Sequence, residues 1–278
     1  MDDRPIGFFD SGVGGLSCIP YLLRDLPGES AVYFGDTARA PYGLKNPSEI
    51  TDFAAEITDF LIESQNVKMV VIACNTVSAV ALDSLRDRHP ETPILGIIGP
   101  ASNAVFRACG PANRIGVIGT KATIECGAYP KEIFALNPAL SVFQTACPAF
   151  VPIIEEGIYP GRVIDLIIQH YLNSFIDSND IDTLVLGCTH YSHIRDSIAG
   201  IYPSLQIIDP SEAMLENVAE ELIKYGAASG KSAPGFAFYA SELTENFRNI
   251  VDNIFEGTGC PVTMDHADLE IYRSKRGG

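Results

Sequence analysis

Two apolar stretches, whose terminal cysteines are 114 residues apart, end in closely similar polar sequences. Residues 69–73 run into Cys74-Asn75-Thr76, and residues 182–187 run into Cys188-Thr189-His190. A short continuous apolar run before a polar turn is typical of a buried strand in a parallel sheet. Each half of the chain is therefore expected to place a cysteine at the carboxyl end of a strand, where open α/β sheets bind ligands.

Other landmarks repeat at nearly the same spacing. Gly7 and Gly116 occupy matching positions in two strand-like segments 109 residues apart, and Pro100 and Pro210 follow two further strands 110 residues apart. Three pairs at nearly one offset indicate an internal duplication of a βαβ unit. The shorter periods that mark solenoid proteins are absent from the sequence.

Strand-like and helix-like patterns alternate along the whole chain, which predicts parallel sheets with helices on their faces. With the duplication, this predicts an α/β fold of two similar domains, each a mostly parallel sheet flanked by helices, with the active site in the cleft between them. The first domain is expected to comprise 1–98 plus a returning segment, 211–278, and the second 99–210. Strands are predicted at 6–9, 31–34, 69–73, 93–98, 115–118, 182–187, 205–209 and 236–239, and helices at 16–24, from Pro47, and at 78–88, 101–108, 212–225 and 242–255.

Composition restricts the classes of function. The 278-residue chain is 46% apolar and only 19% charged, which argues against disorder. Its net charge of −16 argues against binding to nucleic acid or anionic membranes, which require basic patches. No signal peptide and no apolar run of about 20 residues is present, so a cytoplasmic protein is expected.

The seven cysteines are an odd number, and no two are spaced as C-x-x-C. A disulfide framework or a zinc ribbon is therefore not expected, and no metal site is predicted. Five of the cysteines are interpreted as small buried or half-buried hydrophobic residues: Cys18, Cys109, Cys126, Cys147 and Cys260.

Cys74 and Cys188 differ from the others because their positions are duplicated. Two thiols facing one substrate suit proton removal from one face of a carbon and proton return to the other. The pKa of a free thiol is near ~8.5, and a helix amino terminus lowers it. A lone cysteine at a strand end would instead be interpreted as inert.

Polar residues beside the two thiols allow two interpretations. Asn75, Thr76 and Thr189 could cap helices, or they could form a carboxylate site at helix amino termini. The Gly-rich turn after Asp10 lacks both the G-x-G-x-x-G spacing and the P-loop lysine, so nucleotide binding is not predicted. Asp10 itself is placed to orient or deprotonate a thiol.

Three further candidates follow strands or lie near a thiol. Asp36 opens a turn that continues to Gly43, and it could equally belong to an ordinary turn. His190 lies two residues after Cys188, where an imidazole can stabilise a thiolate. Glu155 lies on a helix-like stretch, where a solvated helix carboxylate is the simpler interpretation.

Taken together, these motifs resemble the glutamate racemases of the cofactor-independent aspartate/glutamate racemase superfamily. The matching segments are 9–15, 33–36, 41–43, 73–76, 118–120 with Thr123, 147–155 and 187–190, in the order of the family. The resemblance implies two α/β domains with the active site between them, no cofactor and no metal. It also implies a small-molecule substrate, L- or D-glutamate, and a D-glutamate product that feeds peptidoglycan synthesis.

The resemblance assigns a role to each candidate. It implies that Cys74 removes the α-proton of D-glutamate and Cys188 that of L-glutamate. Asp10 would assist Cys74, His190 would assist Cys188, Glu155 would support His190, and Asp36 would lie nearby. The Pro41-Tyr42-Gly43 turn would receive the side-chain carboxylate. The other substrate groups would be held by Ser11, Asn75, Thr76, Thr120, Thr123 and Thr189.

Three alternatives stay open at this point. An aspartate racemase of the same superfamily would keep the reaction, although His190 favours glutamate. A two-domain binding protein would close on a small acid without reacting, and a cysteine hydrolase would use Cys188 with His190 but give no role to the second thiol. A homodimer is compatible with the resemblance.

Overall fold

A computed structural model describes residues 1–231 and 233–270. The strands of this part of the chain are β1 (Ile6–Asp10), β2 (Ala31–Gly35), β3 (Met69–Ile72), β4 (Ile94–Gly96), β5 (Arg114–Gly119), β6 (Ser141–Ala146), β7 (Thr183–Gly187), β8 (Gln206–Ile208), β9 (Phe236–Ala240) and β10 (Val262–His266). The α-helices are α1 (Cys18–Asp25), α2 (Pro47–Asp59), α3 (Asn75–Val80), α4 (Leu82–Arg88), α5 (Ile98–Ala108), α6 (Lys121–Glu125), α7 (Ala128–Leu136), α8 (Phe150–Glu155), α9 (Arg162–Asn179), α10 (Arg195–Ile201), α11 (Pro210–Lys224) and α12 (Glu245–Phe255). Shorter 3-10 segments span Gly14–Ser17, Thr37–Arg39, Tyr42–Leu44 and Thr189–Ile194, and a π-helical segment spans Phe60–Ser64.

The strands form two parallel sheets, which confirms the predicted α/β class. The first sheet has the order β10-β9-β2-β1-β3-β4, and the second has the order β6-β5-β7-β8. The run β2-β1-β3-β4 of the first sheet therefore has the same order as the whole second sheet. This repeated order agrees with the duplication expected from the landmark spacing.

The segment after residue 211 returns to the first sheet. β9 pairs in parallel with β2, and β10 pairs in parallel with β9. This pairing supports our proposal that residues 1–98 and 211–278 form one domain and residues 99–210 the other. Residues 232 and 271–278 of that proposed domain lie outside the described part of the chain.

The predicted helix starting at Pro47 is confirmed, and its start has a clear local cause. The Asn46 side chain accepts a hydrogen bond from the backbone N–H of Glu49, and the Glu49 side chain accepts one from the backbone of Asn46. This reciprocal arrangement satisfies two donors that the first helical turn would otherwise leave unpaired. α2 then packs an apolar face against β1, β2 and β3 through buried residues that include Ile50, Ala54 and Ile57.

The prediction of one helix over 78–88 was wrong. Two helices, α3 and α4, occupy this region, and they meet at Ala81. Cys74 occupies the N-cap position of α3, so Asn75 and Thr76 are its first helical residues and not its caps. Thr189 likewise lies inside a 3-10 segment whose cap position is Cys188. The helix-cap interpretation of these three polar residues is therefore also wrong.

All seven cysteines are free, and Cys18, Cys109 and Cys147 are buried as expected of small hydrophobic residues. Cys260 is half-buried, also as expected, whereas Cys126 is exposed, against that expectation. Among the described residues, no helix combines the length and apolar character that a membrane span requires.

Candidate active site

β3 and β7 deliver their cysteines to one small cavity between the two sheets. Its lining includes Cys74 and Cys188, and the cavity is nearly closed, with a volume of about 10 Å³. Eleven of the fifteen predicted site residues line it, namely Ser11, Pro41, Tyr42, Gly43, Cys74, Asn75, Thr76, Thr120, Cys188, Thr189 and His190. Val151 completes the lining and was not predicted. Asp10, Asp36, Thr123 and Glu155 do not line the cavity and lie behind it.

Cys188, His190 and Glu155 form a connected row. The Cys188 Sγ lies 3.8 Å from Nδ1 of His190, and Nε2 of His190 lies 2.5 Å from Oε1 of Glu155. Burial lowers the pKa of His190, but the hydrogen bonds and charges of Cys188 and Glu155 outweigh it, so the pKa lies well above its usual value. The geometry therefore favours an imidazolium at His190, beside the sulfur of Cys188.

Glu155 is a connecting group as well as a partner of His190. Its Oε1 also accepts a hydrogen bond of 3.2 Å from the backbone N–H of Val13, in the Gly-rich turn of the other half. Burial raises the pKa of Glu155, but the bond and charge of His190 and the Val13 bond reverse the direction, and the pKa is lowered. A solvated helix carboxylate is thus the wrong interpretation of Glu155, which stays ionised in a largely buried position.

The surroundings of Cys74 are different. Its Sγ lies 3.7 Å from the Ser11 Oγ, to which it donates. Burial, with a contribution from the Asp10 carboxylate, raises the pKa of Cys74 to about 12. The backbone N–H of Val77 in α3 acts in the lowering direction, as expected at a helix start, but it does not prevail. The expectation of a lowered thiol pKa at Cys74 is therefore wrong.

Asp10 joins the two halves of the site. Its Oδ1 accepts from the backbone N–H of Gly12 at 3.0 Å, and its Oδ2 accepts from the Thr189 hydroxyl at 2.9 Å. Complete burial raises the pKa of Asp10, and the charge of His190 only partly opposes this. The carboxylate influences Cys74 through its charge, since its hydrogen bonds lead to Gly12 and Thr189.

Asp36 lies behind the turn that carries Tyr42. Its Oδ2 accepts a short hydrogen bond from the Tyr42 hydroxyl and one of 2.6 Å from Nε of Arg39. Nη1 of Arg39 also reaches Glu56, at 2.5 Å. The carboxylate of Asp36 therefore holds Tyr42 and the Tyr42–Leu44 segment in place and does not face the thiols.

Three threonine hydroxyls meet at one edge of the cavity, where Thr123 lies behind the lining residues Thr76 and Thr120. The Oγ1 of Thr76 lies 3.1 Å from that of Thr120 and 3.3 Å from that of Thr123, and the last two are 3.0 Å apart. Nearby, the Asn75 Oδ1 accepts from the Tyr129 hydroxyl at 2.6 Å, while its buried Nδ2 has no hydrogen-bond partner among the described residues. Such hydroxyls and a free amide N–H are suitable donors to a carboxylate.

Two contributors were missed at the sequence level. Val151 is an apolar residue of α8, and Tyr129 is a buried residue of α7. Neither has a pattern that separates it from core residues: Val151 is identified because it lines the cavity, and Tyr129 because its hydroxyl donates to Asn75. No three His, Cys, Asp or Glu side chains within residues 1–231 and 233–270 are grouped as metal ligands.

Two similar parallel-sheet halves each bring one thiol to a shared cavity. The sequence model of the Asp/Glu/Hydantoin racemase family matches residues 16–218. A glutamate racemase from a Picosynechococcus species is 43% identical over 248 residues, which are 89% of this chain and 87% of that protein. The chain belongs to the Asp/Glu/Hydantoin racemase family.

Solved structures agree with this family. A Francisella tularensis glutamate racemase in complex with D-glutamate matches with a TM-score of 0.88 at 36% identity and covers 98% of this chain and 100% of its own. A glutamate racemase isoform from Bacillus anthracis, RacE1, matches with a TM-score of 0.88 at 31% identity and covers 97% of this chain and 99% of its own. The family resemblance inferred from the motifs is confirmed.

Proposed function

We propose that the protein is a glutamate racemase that interconverts L- and D-glutamate by proton transfer between two thiols and Cα. The observation that carries this proposal is that Cys74 and Cys188, from equivalent positions of the two sheets, line one cavity. The names of the similar proteins support glutamate over aspartate as substrate. The reaction is proposed to need neither cofactor nor metal.

In the proposed reaction, the Cys188 thiolate takes the α-proton of L-glutamate and becomes a thiol. The Cys74 thiol gives its proton to the opposite face of Cα and becomes a thiolate, so D-glutamate forms and the proton count balances. The His190 imidazolium supports the Cys188 thiolate. At Cys74 the high thiol pKa makes the thiolate a strong base, and the ammonium group of the bound substrate would lower the cost of forming it.

The binding residues are proposed to share the groups of the substrate among them. Asn75, Thr76, Thr120 and Thr189 are proposed to bind the α-carboxylate and the amine, with Ser11 near Cys74 and Thr123 supporting the other threonines. The turn of Pro41, Tyr42 and Gly43 is proposed to receive the side-chain carboxylate. Asp36 supports this role because it fixes Tyr42 through its hydroxyl.

The biological role follows from the product. D-glutamate is proposed to enter peptidoglycan synthesis, with the enzyme acting in the cytoplasm. The expected partner is the small-molecule substrate, and a homodimer is the proposed assembly. Light scattering during size-exclusion chromatography will decide between monomer and dimer.

Circular dichroism of a glutamate solution tests the function directly. We expect L-glutamate and D-glutamate each to lose optical activity with catalytic amounts of protein and a chelator present, and with no pyridoxal phosphate added. L-aspartate under the same conditions distinguishes the related racemase. Faster racemisation of aspartate than of glutamate would contradict the substrate assignment, and no racemisation of either would contradict the reaction.

A further inference from the structure

The helix α12, in the segment that returns to the first sheet, reaches the helix that carries Glu155. The Asn246 Nδ2 donates to the backbone carbonyl of Glu155 at 2.9 Å and to that of Ile154 at 3.3 Å. Both carbonyls belong to the last turn of α8. A side chain of one half of the molecule therefore completes the end of a helix in the other half.

The helix α8 needs such a partner. It has only six residues, and a helix this short has little stability of its own. The last carbonyls of any helix lack partners within the helix. The Ile154 carbonyl also accepts from the backbone N–H of Gly157, so Asn246 adds most at the Glu155 carbonyl. That carbonyl belongs to the residue whose carboxylate contacts His190.

The position of Asn246 is fixed by its neighbours on α12. The Thr244 side chain caps the helix by accepting from the backbone N–H of Phe247. The Phe247 ring is fully buried and lies 6.1 Å from the ring of Tyr33. The Tyr33 hydroxyl in turn donates to the Gly12 carbonyl at 2.8 Å. The start of α12 is thus anchored to the Gly-rich turn, whose Val13 N–H binds the Glu155 carboxylate.

We propose that Asn246 is a positioning residue for racemisation, which sets Glu155 against His190 and thereby supports Cys188. The proposal rests on the proposed function, since it concerns the thiol assigned to L-glutamate. Asn246 holds the main chain of Glu155, Val13 holds its carboxylate, and His190 transmits the position to the sulfur. Cys74 has no corresponding link to α12 among the described contacts.

The test compares the variants Asn246→Ala, Asn246→Asp and Asn246→Gln with Asn249→Ala. Asn249 is an exposed residue of the same helix and serves as the matched control. We expect Asn246→Ala to lower kcat/KM about 10-fold, because a misplacement near 1 Å costs about 10²-fold and the loss of one carbonyl partner should displace Glu155 by less than that. Asn246→Asp should lose more because its carboxylate faces two carbonyl oxygens, and Asn246→Gln should recover part of the activity because it keeps the amide donor.

The kinetic constants for the two enantiomers provide a readout that a general loosening of the fold would not change. The two enantiomers have equal free energy, so kcat/KM must fall equally in both directions. In the proposed reaction, Cys188 carries a full thiolate charge in the complex with L-glutamate and only part of that charge in the transition state. Weakening its support should therefore lower kcat for D-glutamate by the larger factor and raise KM for L-glutamate.

The outcomes separate the two proposals. If the wild-type protein does not racemise glutamate, the proposed function fails. If the wild type is active and Asn246→Ala matches Asn249→Ala, or if kcat falls equally for both enantiomers, the positioning role is wrong. Should Asn246→Ala fail to fold, the difference between Asn246→Asp and Asn246→Gln decides in the same way.

Discussion

Replacing Gly14 by alanine should separate the two halves of the site by a fraction of an ångström. A Cβ at this position would lie 2.7 Å from the backbone nitrogen of His190, against 3.4 Å for ordinary contact, a shortfall of about 0.7 Å. The Cβ would lie closer still to the Thr189 hydroxyl, at 2.5 Å, and closest to Nδ1 of the His190 side chain. Side chains can rotate away from a methyl group, but the main chain of His190 cannot do so without moving the 3-10 segment that contains it.

The displacement acts on the hydrogen bonds that cross between the halves. Gly14 adjoins Val13, whose N–H binds Glu155, and it presses against the segment whose Thr189 binds Asp10. A misplacement near 1 Å costs about 10²-fold in rate when it affects reacting groups. For about 0.7 Å we expect kcat/KM to fall on the order of 30- to 100-fold. Overpacking should also lower the free energy of unfolding by about 1–3 kcal/mol.

Racemisation followed by circular dichroism and thermal unfolding followed at 222 nm measure the two effects. The matched control is Gly200→Ala in α10, because a Cβ at Gly200 meets nothing within 4 Å. That variant should keep wild-type kinetics and gain up to about 1 kcal/mol, since alanine is the better helix former. Wild-type activity in Gly14→Ala would refute the argument, even if its stability fell, because alignment of the halves would then not limit the reaction.

Further predictions concern the two thiols and the imidazole of His193. Cys74→Ala and Cys188→Ala should each lower kcat by several orders of magnitude, because a methyl group neither accepts nor gives a proton, whereas Cys260→Ala should keep it. Comparable activity in all three variants would contradict the two-thiol assignment. In D2O, L-glutamate should give early product deuterated at Cα while recovered L-glutamate stays protiated; equal deuterium in both, by mass spectrometry, would indicate a single base. His193 is half-buried, and this burial with the nearby charge of His190 lowers its pKa to about 4. The pKa of histidine in the unfolded chain is ~6.5, so between this pH and pH 4 the unfolded chain binds more protons than the folded chain. Protonation of the unfolded chain at His193 should therefore lower the free energy of unfolding by about 2 kcal/mol as the pH falls from 7 to 5. Denaturant titrations of His193→Gln should show a smaller decrease over that interval, and an unchanged decrease would show that His193 is not the cause.

The duplicated landmarks made most of the fold predictable. The sequence of a parallel strand that is buried on both faces is a continuous apolar run, and β3 and β7 both have this pattern. The strands that were not predicted lie at sheet edges. β6 and β10 each pair on one side only and are partly exposed, so their sequences lack a continuous apolar run. Pairing across the returning segment depends on contacts between residues about 200 apart, which no local pattern encodes.

In the candidate site, too, features set by nearby sequence could be predicted, and features set by contacts between distant residues could not. Residues directly after strands, such as Cys74 and Thr189, could be assigned to one sheet edge because parallel strands bring their carboxyl ends together. Their roles in the reaction stay predictions. The part played by Asp36 could not be read from the sequence, since it depends on how the turn of Tyr42 folds back over the strand end. The high pKa of Cys74 also depends on burial, which overrides the local effect of the helix start.

The closed cavity has a consequence for the chemical lifetime of the protein. The sulfur-bearing side chains are only 4% exposed at Cys74 and 5% at Cys188. Oxidation by peroxide requires both a thiolate and access: both cysteines lack access because they are buried, and Cys74 also lacks a thiolate because its pKa is about 12. The cavity can widen only if the two halves move apart, and such a movement would break the hydrogen bonds from Thr189 to Asp10 and from Val13 to Glu155. Oxidative inactivation should therefore accumulate with the number of turnovers and not with time in storage.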